Sequence, residues 1–220
     1  MNRTSTNSAE IPNGRPFRVH DEQAAKRERI LAAALKLFAH EPYQAVTMDR
    51  VAEAAGVAKG TLYLYFQSKD ALYLGVLSDG LDTAYRTYQS SADPRLPVVE
   101  RLRRSIAVMV EFYDQRRDFL QFFATVEPRL AEARNRIIEA SRERGFNFFA
   151  SLIKEGIRTG VFTRIDPRLA TFTIHGAIRS LLLYYGAGRP VSELSRELGN
   201  LMLRSLGADP SQHFKPEHPQ

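Results

Sequence analysis

The chain has 220 residues and carries 31 Lys and Arg against 25 Asp and Glu, a formal net charge of +6 with a pI near 9.7. Hydrophobic residues make up 44% and charged residues 25%, a globular balance that excludes a disordered chain, and no run of about 18 apolar residues offers a membrane span. Cysteine is absent, which removes disulfides, zinc ribbons, iron–sulfur clusters and thiol nucleophiles.

In chain order, residues 1–20 are rich in Asn, Ser, Thr, Pro and Arg and predict a flexible arm. The polar start lacks an apolar h-region, which argues for a cytoplasmic protein. Ile30, Ala33, Leu37 and Phe38 then repeat at helical spacing, and Met48, Val51, Ala52 and Ala55 do so on a shorter segment. A third stripe, Leu72, Val76, Leu81, Tyr85 and Tyr88, predicts a longer helix opened by Ser68 and Asp70. Further helical segments are expected near 97–114, 118–127, 129–159, 167–187 and 191–206, separated by prolines that act as joints. The tail 208–220 has the composition of the arm. No sustained period-2 alternation and no internal repeat is present. The expected fold is all-α with about nine helices. A three-helix domain over 21–70 precedes a larger bundle over 71–207.

The positive charge does not locate a partner. Residues 1–70 hold 10 basic and 8 acidic residues, a net of +2, and the rest carries +4 without a polybasic block. A nucleic-acid role therefore has to come from a motif. Residues 47–73, TMDRVAEAAGVAKGTLYLYFQSKDALY, supply one. Thr47 suits the N-cap of a helix over Met48–Ala55, and Gly56 suits its left-handed end. A second short helix near Ala58–Phe66 follows, with small alanines at the crossing. Two short helices across a glycine turn form a helix-turn-helix, whose second helix enters the major groove. Lys59 and Lys69 can neutralise phosphates, Thr61 and the hydroxyls of Tyr63 and Tyr65 can bond phosphates or base edges, and Gly60 allows close approach. Such pairs also occur in plain bundles, where Leu62, Phe66 and Tyr65 would serve packing.

This run, preceded by the helix RERILAAALKLFA, resembles the TetR family of transcriptional regulators over about residues 25–75. The resemblance implies DNA contacts at Thr47, Lys59, Gly60, Thr61, Tyr63, Leu64, Tyr65 and Lys69. Leu64 departs from the polar or aromatic residue usual at its position. It can touch a thymine methyl or make no contact. Arg15 and Arg18 can enter a minor groove or stay solvated, and Lys26 and Arg27 can meet a phosphate. The resemblance further implies a homodimeric bacterial repressor, nucleoid-associated when bound, released from a palindromic operator in double-stranded DNA by a small effector.

Nine of the 13 phenylalanines lie between 112 and 172, enough to fill a core or to line an apolar cavity. The expected effector pocket draws on Met109, Phe112, Tyr113, Phe122, Phe123, Phe149, His175 and Arg179. Acidic residues for a cationic ligand are few, so the effector is expected to be apolar and neutral or anionic. The helices near 167–187 and 191–206 carry more apolar residues than one buried stripe needs, which suits either a four-helix dimer interface or closure of the monomer core. No cofactor or metal is expected. There is no nucleophile elbow, phosphate loop or metal-spaced cluster, and the histidines at 20, 40, 175, 213 and 218 are scattered, so no catalytic residue is assigned. An architectural DNA binder is the rival reading. It predicts a filled second domain.

Overall fold

The computed structural model describes residues 17–125, 127–185 and 188–208, and among these it is helical with no strand. Helix α1 spans Phe17–His40, α2 Met48–Ala55, α3 Lys59–Tyr65, and α4 Lys69–Ser90. Then come α5 over Val98–Gln115, α6 over Arg117–Ala124, α7 over Ala131–Arg158, α8 over Pro167–Ser180 and α9 over Val191–Ser205. Short 3₁₀ turns at Tyr43–Ala45 and Pro128–Leu130 precede α2 and α7. Helix α1 begins inside the stretch expected to be an arm. Arg15 and most of the tail lie outside the described residues, whereas Ala208 is buried.

The helix ends follow local chemistry. Thr47 Oγ1 accepts from the Arg50 amide at 3.3 Å and opens α2. Gly56, at φ 63° and ψ 41°, closes it with its N–H on the Ala52 and Glu53 carbonyls, a left-handed end that favours glycine. Ser68 Oγ accepts from the Ala71 amide at 3.1 Å and opens α4. Two expected segments run shorter. The one over 118–127 stops at Ala124, where Thr125 turns extended ahead of Pro128. The one over 167–187 stays α-helical only to Ser180 and then widens into a π turn over Leu181–Tyr185.

Ile30, Ala34 and Phe38 of α1 pack with Val51, Leu62, Leu72, Val76 and Leu77 in a first core. That core also takes in Phe119, Phe122, Leu130 and Ile138 from further along the chain. A division at residue 70/71 therefore cuts through neither a linker nor a gap, because α4 runs unbroken from the first core into the second. A Cβ at Gly80 of α4 would overlap the Phe119 ring, so glycine there lets α6 seat against α4. The second core joins Leu102, Ile106 and Val110 of α5 to Phe149 and Ile153 of α7, Ile174 and Ile178 of α8, and Leu198 and Leu203 of α9.

Candidate functional site

The helix-turn-helix presents a compact outer face. Thr47, Lys59 and Gly60 are exposed at the starts of α2 and α3, and Tyr63 and Leu64 are exposed on α3. Thr61 and Tyr65 are half-buried, with Tyr65 packed against the first core. Lys59 Nζ reaches Asp49 at 2.7 Å across the start of the two helices. A Cβ on Gly60 would meet nothing within 4 Å. The absence of a side chain there answers no need of the protein's own packing, and glycine costs a helix up to about 1 kcal/mol relative to alanine.

Lys69 is the exception among the expected contacts. It is half-buried, its ammonium donates to the Tyr43 and Val46 carbonyls at 2.9 Å each, and it lies 4.2 Å from the Tyr43 ring centroid. Those carbonyls belong to the turn before α2, so Lys69 holds that turn rather than standing ready for a phosphate. Arg27 is likewise engaged, with Asp79 at 2.8 Å. Arg50 pairs with Glu41 at 2.6 Å. Surface pairs of this kind are worth about 0–1 kcal/mol, so a phosphate can compete for Lys59 or Arg50.

A cavity of about 410 Å³ lies between α4, α5, α6, α7 and α8. Of the expected pocket residues it is lined by Met109, Tyr113, Phe123, His175 and Arg179. Phe112 and Phe149 are instead buried in the second core and Phe122 in the first. Their helical phase turns them inward, onto neighbouring helices. The residues missed by sequence reasoning include Tyr88, Leu120, Ser141, Gly145, Phe146 and Phe172. Gly145 carried a signal, since a glycine deep inside a long helix marks a close approach. A Cβ there would stand 2.5 Å from the Tyr88 hydroxyl.

The lining is apolar with a few convergent polar groups. The His175 ring stacks on Phe146 with centroids 5.0 Å apart, and its Nδ1 donates to the Thr171 carbonyl at 3.0 Å. The hydroxyls of Tyr88, Tyr113 and Ser141, and the Arg179 guanidinium, form no hydrogen bond or ion pair with any described residue. Burial pushes the Tyr113 phenol up to about 12 and raises Tyr88 further. Beside this cavity, and sharing Leu120, Phe123, Ile138 and Arg179 with it, a second hollow of about 500 Å³ adds Arg134, Asn135 and Glu139. Arg134 donates to the Phe123 carbonyl at 2.5 Å and covers the Phe123 ring.

Helix α6 faces both regions. Leu120 and Phe123 line the cavity, while Phe119 and Phe122 are buried in the first core. Phe122 meets Tyr73 at 4.8 Å and Phe38 at 6.2 Å between ring centroids. The polar seam beside these rings joins the same two regions. Arg129 donates to Asp70 at 2.8 Å and to the Tyr43 hydroxyl at 3.2 Å, Tyr43 donates to Asp70, and His40 meets Asp118 at 3.0 Å. Among the described residues no group of His, Asp and Glu is placed to hold a metal, and no helix is long and apolar enough to cross a membrane.

Two family models match the chain. One, described as bacterial regulatory proteins of the tetR family, covers residues 30–76, and the other, a tetracyclin repressor-like C-terminal domain, covers residues 95–206. The chain is 28% identical over 149 residues to the uncharacterized HTH-type transcriptional regulator YhgD of Bacillus subtilis, spanning 68% of this chain and 78% of that protein. It is 25% identical over 176 residues to the HTH-type transcriptional repressor KstR2 of Mycolicibacterium smegmatis, spanning 78% and 84%. Among solved structures, FadR from Bacillus subtilis in complex with stearoyl-CoA has the same fold, with a TM-score of 0.68 at 21% identity over 80% of this chain and 97% of that one.

Proposed function

Because the chain belongs to the TetR family of bacterial regulators, DNA-binding proteins with a ligand-binding domain, we propose that it is a homodimeric repressor whose operator affinity is lowered by an amphipathic effector in the α4–α8 cavity. One observation carries the reading: the short helix α6 places Leu120 and Phe123 in the cavity wall and Phe122 in the core beneath the helix-turn-helix. A ligand that displaces α6 must disturb the seating of α1 and α4, and with it the placement of α3. Coupling then equals the effector's differential affinity for the two seatings, typically about 1–3 kcal/mol.

The DNA face assigned here comprises Thr47, Lys59, Gly60, Thr61, Tyr63, Leu64 and Tyr65, with Lys69 acting through the turn before α2. Two copies would lie in successive major grooves about 34–36 Å apart. The dimer is assigned to α8, the π turn and α9, where Leu169, Phe172, Tyr184, Tyr185 and Leu201 leave large apolar side chains exposed. An architectural DNA binder without effector needs no cavity, and the open volume beside α6 counts against it.

The effector class follows from the lining. Apolar walls suit a hydrocarbon body, whereas Tyr88, Tyr113 and Ser141 offer donors and Arg179 a cation to an oxygen-bearing or anionic end. At ~30 Å³ per water-sized group, the cavity has room for roughly fourteen heavy atoms. That is room for an acyl chain and not for coenzyme A, so free fatty acids, and fatty-acyl thioesters of coenzyme A with the nucleotide outside the cavity, are the first probes; the FadR structure with stearoyl-CoA has the same fold. The test begins by selecting bound fragments from genomic DNA with the full-length protein. One enriched palindrome is expected, and an acyl-CoA series of increasing chain length should release it with a defined optimum. Absence of any enriched sequence would defeat the repressor reading. Operator binding unmoved by every acyl-CoA and free acid in the series would defeat the effector assignment.

A further inference from the structure

Leu64 is 86% exposed, more than any other large apolar side chain among the described residues. It stands on a helix whose preceding leucine, Leu62, is wholly buried. One turn before Leu64, on the same face, is Gly60, where a side chain would touch nothing. The pair makes a hollow followed by a knob of two methyl groups. Neither feature serves packing, and both weigh against the isolated fold: glycine by helix propensity, leucine by apolar surface left in water. Lys59, at the start of the same helix, is paired with Asp49 at 2.7 Å.

We infer that Leu64 reads thymine, its methyl groups packing on the C5-methyl of one defined thymine in each operator half-site. The inference rests on the assignment of α3 as the recognition helix. Leucine has no hydrogen-bonding group, so it cannot distinguish the donor and acceptor patterns of base edges. The thymine methyl is the apolar feature that the major groove displays, and cytosine lacks it. Gly60 complements the contact, because a bare backbone one turn back lets α3 sink until Leu64 meets the base edge. Specificity at that position then comes from shape and burial of a methyl group rather than from a bidentate bond.

The enriched operator supplies the test. Each thymine is replaced in turn by deoxyuridine, which removes the methyl and leaves base pairing intact, in both half-sites symmetrically. Binding is read by fluorescence anisotropy with the full-length protein and with Leu64→Ala. One symmetric pair of thymines should lose about fourfold per half-site, about fifteenfold together, in the unsubstituted protein. The same replacement should change the affinity of Leu64→Ala by less than about twofold. An exposed leucine is not needed for folding, so equal denaturation midpoints of the two proteins are expected and keep the comparison clean. If deoxyuridine is tolerated within about twofold at every thymine, or if its penalty persists in Leu64→Ala, the assignment fails while the repressor reading stands. If no operator is enriched, the recognition-helix assignment fails first and this one falls with it.

Discussion

In the helix-turn-helix module the side chains assigned to DNA stand outside a filled core, whereas in the second domain those assigned to an effector line a hollow. Tyr63 and Leu64 are exposed around a tightly packed Leu62. Tyr88, Tyr113 and Ser141 face inward around open volume. The outer face keeps its shape because buried packing beneath it is complete, and it can change only if that packing is reseated. The inner face borders open volume, so its side chains have room to move. Helix α6 belongs to both regimes, which makes adjacent residues of one short helix the sharpest place to test the difference.

Phe122 and Phe123 should therefore behave unlike each other. Phe122 is almost wholly buried against Phe38 and Tyr73, so Phe122→Ala is expected to lower unfolding stability by about 3–5 kcal/mol in urea denaturation. Operator affinity should fall with it, since α1 and α4 lose their shared contact. Phe123 is half-buried on the cavity wall. Phe123→Ala should cost markedly less stability while altering the concentration of effector needed for release. Equal destabilisation by the two changes would mean that α6 is simply core, and the two-faced reading would be lost.

The contrast also explains what could be read from the chain alone. Caps at Thr47, Gly56 and Ser68 are local: residue type and neighbours within four positions decide them, and they lie where spacing predicts. Lys69 escaped the same treatment because its acceptors, the Tyr43 and Val46 carbonyls, lie 26 and 23 residues away. The resemblance offered a phosphate, and the tertiary fold offered two carbonyls. The cavity was legible only in part, because a phenylalanine on its wall and one in the core are the same residue a third of a helical turn apart. Phe123 and Phe122 differ in nothing but phase, and phase depends on which helices happen to lie on each side. Met109, Tyr113, His175 and Arg179 line the cavity as expected, but Tyr88, Ser141 and Phe172 come from separate helices whose convergence no local pattern records.

Two glycines put the comparison in its simplest form, since one substitution should act oppositely at each. Gly60→Ala adds a methyl into space empty of protein, so fold stability should hold or rise by up to about 1 kcal/mol, while operator affinity falls as α3 is held off the groove. Gly145→Ala adds a methyl 2.5 Å from the Tyr88 hydroxyl, so the Tyr88 side chain on the cavity wall must shift. Operator binding without effector should be retained, and effector affinity should drop roughly tenfold, the size of a ~1.4 kcal/mol change. Titrating both variants with operator and with effector separates the two regions. A Gly60→Ala protein with undiminished operator affinity would show that the bare backbone of α3 has no partner.

The smallest expected effect concerns pH and again singles out the hollow. The Tyr113 phenol faces the cavity, and burial lifts it from 10.0 to about 12. A group whose folded value is raised stabilises the fold fully below its unfolded value and loses that contribution as pH climbs. Stability should thus begin to fall near pH 10, where the phenol of the unfolded chain ionises, and keep falling toward pH 12. Tyr88 and Tyr43 are raised in the same direction, by burial first, with Asp70 adding to Tyr43, so they steepen the same limb. In Tyr113→Phe the hydroxyl that must stay protonated is gone, and urea midpoints measured across this range should decline more gently than in the parent. An identical slope in the two proteins would place the Tyr113 hydroxyl in contact with water. The cavity wall would then be an open surface like the outer face of α3, and the contrast between the two regions would dissolve at that residue.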